Sequence, residues 1–334
     1  MIQKYAEIAY NKTIPVIGGV VKVLYDQNIA ERLEKEIFEN PPAAFRGAPF
    51  WAWNAELNPE ELLWQIDRLK EMGFGGFFMH SRSGMATKYL SREFLDLVKA
   101  CIRHGKETGM LSYLYDEDRW SSGSAGGYAT RKKEYRQKTI CLSRTLPEEM
   151  EKRGKEQGRE PQLLAAYEIY FDENDRLDHC RFIDAGELTA HAPEGLSACA
   201  PEASSAHAPE ASPAPSSGAP ETWYLYMLLK PPCGWHNGYT YLDTMNADAV
   251  DTFIDITYET YKKEVGEEFG KNIPAIFTDE PNYGVICPKE YARDGKDAEL
   301  PWTQTFRVSF EKRFGYDILE RLPEVIWNKK DDAP

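Results

Sequence analysis

Ile273-Pro-Ala-Ile-Phe-Thr-Asp-Glu-Pro-Asn-Tyr283 is the stretch whose reading decides the fold. Its apolar run breaks off at two adjacent carboxylates, Asp279 and Glu280, and a proline. A buried strand of a parallel sheet reads as a short continuous apolar run, and α/β folds carry their chemistry at the rim where such strands end. Side chains alternate along a strand, so one of the two acids can face a cleft while the other braces the loop. Read alone, an Asp-Glu-Pro is a pair of loop carboxylates meeting solvent. The surrounding chain decides between the two readings.

Working outward, Asn246 caps a long helix with Val250, Phe253, Ile254, Thr257, Tyr261 and Val265 turned inward, ending by Gly270, and that helix feeds the strand. Nearer the N-terminus, Ala48 to Asn54 is a short aromatic strand. Asn58 then supplies an N-cap, Pro59 the first helical position, Leu62, Ile66 and Leu69 a stripe, and Gly73 the stop. The unit repeats: Phe74 to His80 is a second strand, and Ser91 caps a helix carrying Phe94, Leu97, Val98, Cys101 and Ile102 that closes before Gly109. Met110 to Tyr115 is a third strand, ending in Asp116-Glu117-Asp118-Arg119-Trp120. Repeated strand-helix units with polar strand ends predict a parallel α/β architecture, of which the (β/α)8 TIM-type barrel is favoured. A doubly wound dinucleotide fold lacks its Gly-x-Gly-x-x-Gly after the first strand, and Gly123 to Gly127 does not match a phosphate loop.

Four regions follow. Residues 1–44 read as an N-terminal helical extension, with a helix from Asn28 (Ile29, Leu33, Ile37) stopped by Pro41-Pro42. Residues 45–136 form the first part of the barrel. Residues 137–233 form a small antiparallel insertion, with strands at Thr139 to Arg144, Leu163 to Phe171 and Trp223 to Lys230. Within it, 185–220 is an Ala/Pro/Ser/Glu tract expected to be disordered, because so few large apolar side chains cannot offset the entropy of ordering it. Residues 234–334 continue the barrel, including a helix marked by Phe306, Phe310 and Phe314 and stopped at Gly315. The two barrel segments fall short of the roughly 250 residues a complete barrel needs, so the barrel is expected to be incomplete.

A formal charge of −14, from 54 acids against 40 bases, argues against nucleic acid or an anionic membrane as partner and leaves small neutral ligands open. Aromatic residues at 13% suit a sugar-stacking cleft and a large core equally. The six cysteines form no Cys-x-x-Cys pair, so neither a zinc site nor a disulfide framework is indicated. Ile14 to Leu24 lacks the features of a signal peptide, and a reduced, cytoplasmic setting is expected.

The strand ends collect the candidate site: Trp53, Asn54, His80, Arg82, Asp116, Asp118, Arg119, Asp243, Asp279 and Glu280. Acids hydrogen-bond hydroxyls, aromatic rings stack on sugar faces, and a protonated carboxyl can deliver its proton to a leaving oxygen. Each residue also has a plainer role: His80 as a satisfied rim histidine, Arg82 and Arg119 as partners of Asp116 or Asp118, Asp243 as a turn or cap. Of Trp51 and Trp53, one is expected in the core and Trp53 on the ring of a sugar.

Pro49-Phe-Trp-Ala-Trp-Asn54, Gly75-Gly-Phe-Phe-Met-His-Ser-Arg82, Tyr113-Leu-Tyr-Asp-Glu-Asp-Arg-Trp120 with Ser122-Gly123 and Ala125-Gly-Gly127, and Phe277-Thr-Asp-Glu-Pro281 resemble the α-L-rhamnosidase-like glycoside hydrolases of family 106 and their bacterial relatives. The resemblance spans about 45–136 and 234–322. It implies a β/α barrel that hydrolyses a terminal glycoside, with Glu280 at the position of the acid. It also implies an inverting reaction whose base comes from a later strand, beyond Pro334, and it admits calcium, although nothing here resembles a calcium loop. No cofactor is expected otherwise, and the partner is a carbohydrate. Two other readings stay open: a sugar-binding chain without turnover, lacking the second carboxylate, and a barrel glycosidase for another sugar such as a galactoside.

Overall fold

A computed structural model of the protein describes residues 35–190, 219–284 and 296–329. Its strands are β1 (Phe50–Trp53), β2 (Gly76–Ser81), β3 (Leu111–Tyr115), β4 (Lys138–Ser143), β5 (Pro161–Phe171), β6 (Leu177–Asp184), β7 (Glu221–Leu229), β8 (Ile276–Phe277) and β9 (Ala298–Trp302). They form a parallel sheet in the order β1-β2-β3-β8 and an antiparallel sheet in the order β6-β5-β7-β4-β9. The fold is therefore mixed α/β. The chain divides into two compact units, 1–136 with 232–282 and 137–231 with 283–334.

The first unit holds the parallel sheet, and local signals explain its helices. The Asn58 side chain accepts from the Glu61 N–H at 3.1 Å to start the helix Pro59–Glu71, and Ser91 Oγ accepts from Phe94 N–H at 3.2 Å to start Arg92–Thr108. Each such cap contributes about 1 kcal/mol. Gly109, at φ 74°, ends the second helix in the left-handed conformation that glycine adopts without strain. The helix Ala247–Val265 is capped by Asn246. Leu62, Ile66, Phe94, Val98, Cys101, Ile102 and Tyr261 bury one sheet face together with Trp51, Trp53, Phe77, Met79 and Leu114. The other face carries Phe50, Phe78, His80 and Phe277, with Phe50 lying 4.8 Å from both the His80 and Phe277 rings. Among the described residues this sheet has four strands and does not close into a barrel.

β8 is shorter than the apolar run suggests, because Pro274 cannot donate to the ladder. Pairing with β3 nonetheless extends along the run through Ser112 N–H to Asn272 C=O, Leu114 N–H to Ala275 C=O and Asp116 N–H to Phe277 C=O.

The second unit is the antiparallel sheet. Its core contains Tyr167, Trp223, Leu225, Trp302, Leu319 and Trp327, and the Tyr167 hydroxyl donates to the Leu319 carbonyl at 2.7 Å. Here the structure corrects the expectation that 234–334 continues the barrel throughout. β9 pairs antiparallel with β4, from Lys138↔Trp302 to Leu142↔Ala298, and Arg159 grips Glu299 through two hydrogen bonds of 2.7 and 2.9 Å. Ala298 and Trp302 are the buried positions of the strand and fill this unit's core. The helix Gln304–Phe314, ended by Gly315 at φ 81°, follows it, and Phe310 packs on the same core.

Two further expectations meet the structure only in part. Ala185–Ala190, the start of the tract expected to be disordered, is a short helix, and 191–218 lie outside the described residues. Of the helix expected from Asn28, residues up to 34 lie outside as well; Lys35–Glu39 is helical and buries nothing. The segment after it passes close to the sheet. A Cβ on Gly75 would sit 2.0 Å from the Ala43 carbonyl oxygen, so only glycine permits that approach.

Candidate functional site

The parallel register brings the ends of β1, β2, β3 and β8 to one rim of the first unit: Trp53 pairs with Ser81, and Tyr115 with Phe277. The loop that follows β3 shapes this rim through a residue absent from the candidate set, Glu117. Its carboxylate is 1% exposed and accepts five backbone N–H groups: Asp118 (2.9 Å) and Gly126 (2.5 Å) on Oε1, and Gly123 (3.0 Å), Ser124 (2.7 Å) and Ala125 (2.8 Å) on Oε2. The glycine-rich loop thus wraps an anion belonging to its own chain, as backbone nests do. Burial pushes the Glu117 carboxyl up to about 7, while the N–H groups pull it down by favouring the anion.

Its neighbours are equally committed. Asp116 is fully buried and accepts the hydroxyls of Ser122 (2.5 Å), Tyr258 (2.7 Å) and Thr278 (2.7 Å), so it ties β3 to the Ala247–Val265 helix and to the strand end at Thr278. Burial raises its pKa and the three hydroxyls lower it. Asp118 accepts from Asn237 Nδ2 at 2.8 Å and pairs with Arg119 Nε at 3.3 Å. Arg119 also donates to Asn237 Oδ1 (3.0 Å) and to the Gly234 carbonyl (3.4 Å), which joins the two loops. Asp243 is 2% exposed and accepts from Met245 N–H at 3.2 Å, the geometry of a turn residue. Asp116, buried and with hydroxyls on both oxygens, therefore does not fit the hydroxyl-positioning role expected of it, while Asp118 and Asp243 each take internal donors on one oxygen.

Trp53 is a second correction. It is 1% exposed, edge-on to Trp51 at 5.5 Å and to Phe94 at 5.6 Å. Residues two apart on a strand share a face, so Trp51 and Trp53 enter the core together and neither can stack on a ligand. Asn54, which follows, is exposed.

The solvent side of the rim presents other groups. The Tyr115 hydroxyl donates to Asp279 Oδ2 at 2.9 Å, and Asp279 N–H donates to Ser122 Oγ at 2.9 Å. Glu280 is exposed and its backbone lies at φ 46°, an uncommon conformation for a residue with a Cβ. The Glu280 side chain meets Trp120, whose indole N–H donates to Glu280 Oε2 at 3.1 Å. Trp235 in turn donates from its indole to the Trp120 carbonyl at 2.5 Å. Trp120 and Trp235 are 43% and 42% exposed. Both were missed as site residues, although each falls in a loop where an aromatic ring has little core to enter.

His80 Nε2 is buried without a hydrogen-bond partner, and its ring meets Tyr115 edge-on at 4.1 Å. Burial, with Arg82 nearby, lowers the His80 pKa to about 4, and Asp279 raises it only partly, so the imidazole is neutral at pH 7. The Arg82 side chain forms no ion pair among the described residues. No group of three or more His, Cys, Asp or Glu side chains among the described residues is placed to hold a metal. No described helix is long and apolar enough to cross a membrane.

No protein-family model matches the chain, and no curated protein matches it. Among solved structures it is similar to a rhamnosidase from Novosphingobium sp. PP1Y, with a TM-score of 0.44 and 12% identity over 87% of this chain and 42% of that one. The chain thus spans less than half the length of that protein, and a likeness this loose assigns it neither a family nor an activity.

Proposed function

We propose that the protein acts on carbohydrate as a glycoside hydrolase, with Glu280 as proton donor to the glycosidic oxygen. The observation that carries this reading is the grouping at the strand rim: an exposed carboxylate, set by a left-handed backbone and oriented by an indole N–H, beside two exposed indole rings. Carbohydrate chemistry uses these parts directly. Indole faces cover the apolar C–H faces of a sugar, and a carboxyl proton moves to the leaving oxygen as the bond to the anomeric carbon breaks and water adds there, the water releasing one proton to a base or to solvent. The half-buried Arg82 guanidinium is suited to hold sugar hydroxyls, whereas His80 Nε2 is shut off from solvent and not placed to do so. A β/α barrel of the rhamnosidase type, and α-L-rhamnose as the sugar, belong to the same proposal and rest on the sequence motifs.

A second reading, sugar binding without turnover, is favoured by one observation. Asp116, Glu117, Asp118 and Asp243 are all engaged by internal donors, so none of them is free to activate water. Incubation with a panel of aryl glycosides, α-L-rhamnoside included, separates the two. Release of aglycone supports hydrolysis. Saturable binding of a glycoside with no release supports the second reading.

A further inference from the structure

A cleft of about 370 Å³ opens in the first unit between the segment after β2 and the loops at 118–131 and 237–239. Its charge is unlike that of the chain as a whole, which carries −14. Lys88, Arg119 and Arg131 line it, against a single carboxylate, Asp118. That carboxylate is already held by Arg119 and Asn237. Lys88 and Arg131 have no acidic partner among the described residues, yet both approach one ring: the Arg131 guanidinium lies 4.6 Å from the centroid of Tyr128 and the Lys88 ammonium 5.9 Å. Arg131 also lies 6.0 Å from the ring of Tyr239.

Lys88 and Arg131 line one cleft without an acidic partner among the described residues, and an oxyanion bound in that cleft offsets the like charge and gains charge-assisted hydrogen bonds. A neutral sugar has no such need of two cations. The Tyr128 and Tyr239 rings supply apolar surface for a ligand body as well as its charge. The cleft also adjoins the proposed acid through two pairs of neighbouring residues. Arg119 lines the cleft and Trp120 holds Glu280; Asn237 lines the cleft and Trp235 holds Trp120.

We infer that this cleft binds the oxyanion substituent, carboxylate or sulfate, of an acidic sugar unit in the glycan that Glu280 acts on. The inference rests on the carbohydrate reading above for its biological setting, but the binding itself does not depend on hydrolysis.

Isothermal titration of the whole chain with glucuronate, glucose 6-sulfate, glucose and inorganic phosphate tests it. The expected result is binding of one or both acidic sugars and weakening with salt, with glucose and phosphate each at least ~10-fold weaker because one lacks the charge and the other the ring. Preference for glucuronate identifies a carboxylate ligand, and preference for glucose 6-sulfate a sulfate ester. The double variant Lys88→Ala/Arg131→Ala, at two exposed side chains, is expected to weaken acidic-sugar binding by ~10-fold or more with an unchanged melting temperature. If the double variant fails to fold, Arg131→Gln alone serves, with a smaller loss expected. Equal binding of glucose and the acidic sugars, equal binding of phosphate, no binding at all, or full binding by the folded variant would overturn the inference. Failure of Glu280→Gln to affect hydrolysis, with acidic-sugar binding intact, would sink the catalytic proposal and leave this one standing.

Discussion

Trp120 Nε1 donates a hydrogen bond of 3.1 Å to Glu280 Oε2, so a residue in the loop after β3 orients a carboxylate 160 positions further along the chain. Loops are where folds place chemistry, and here two loops share it, since Trp235 holds the Trp120 carbonyl in turn. Separating the donor from the ring is the way to learn what each does.

Trp120→Phe keeps an aromatic face and removes the N–H. A hydrogen bond to a charged group is worth about 1.5 kcal/mol or more, so kcat on a cleaved glycoside is expected to fall ~10-fold with KM nearly unchanged. Trp235→Ala, which removes exposed ring surface, is expected to raise KM instead. Steady-state kinetics on both variants checks the split.

The two indole environments also predict unequal stability effects. Trp53→Ala empties a core position and is expected to cost about 3–5 kcal/mol. Trp235→Ala is expected to cost less than about 1 kcal/mol, as for other exposed sites. Urea unfolding of the two variants measures the difference.

Glu117→Gln replaces one carboxylate oxygen by an NH2 group facing at least two of the five backbone N–H donors. Unsatisfied buried donors cost about 1–3 kcal/mol each, so a loss of roughly 3 kcal/mol or more is expected, together with increased proteolysis between 118 and 127. Unchanged stability would mean that the loop does not depend on this anion.

The buried His80 predicts a pH dependence of stability. In the folded state the imidazole binds its proton only near pH 4, whereas the unfolded chain binds one near 6.5. As pH falls from 6.5 towards 4 the unfolded state takes up more protons, and stability declines through that window; above 6.5 this contribution is complete. Glu117, raised to about 7 by burial, acts in the opposite sense between about 4.5 and 7. The comparison is therefore between wild type and His80→Gln. The variant's urea midpoint is expected to fall less on acidification.

The strand-helix alternation was legible because its signals are local. Asn58, Ser91 and Asn246 are caps that name themselves, and the apolar stripes behind them have helical period. The pairing of β9 with β4 was not legible, because it joins residues some 160 positions apart and no turn or spacing announces it. Trp53 was misplaced by a local error, since positions two apart on a strand point the same way. Glu117 escaped for a deeper reason: its five partners are backbone N–H groups, which every residue but proline carries and no composition reveals. Trp120 and Trp235 were visible as aromatics in loops, and only their hydrogen bonds place them beside Glu280.

Hydrolysis of aryl glycosides by wild type and by Glu280→Gln, with folding of the variant verified by its melting temperature, tests the central claim most directly. The expected result is turnover of at least one glycoside by wild type and a fall of about 100-fold or more in the variant, the scale of a lost general acid. Turnover by Glu280→Gln within a few-fold of wild type would contradict the assignment of Glu280, and absence of turnover by well-folded wild type on every glycoside would contradict the hydrolase reading itself.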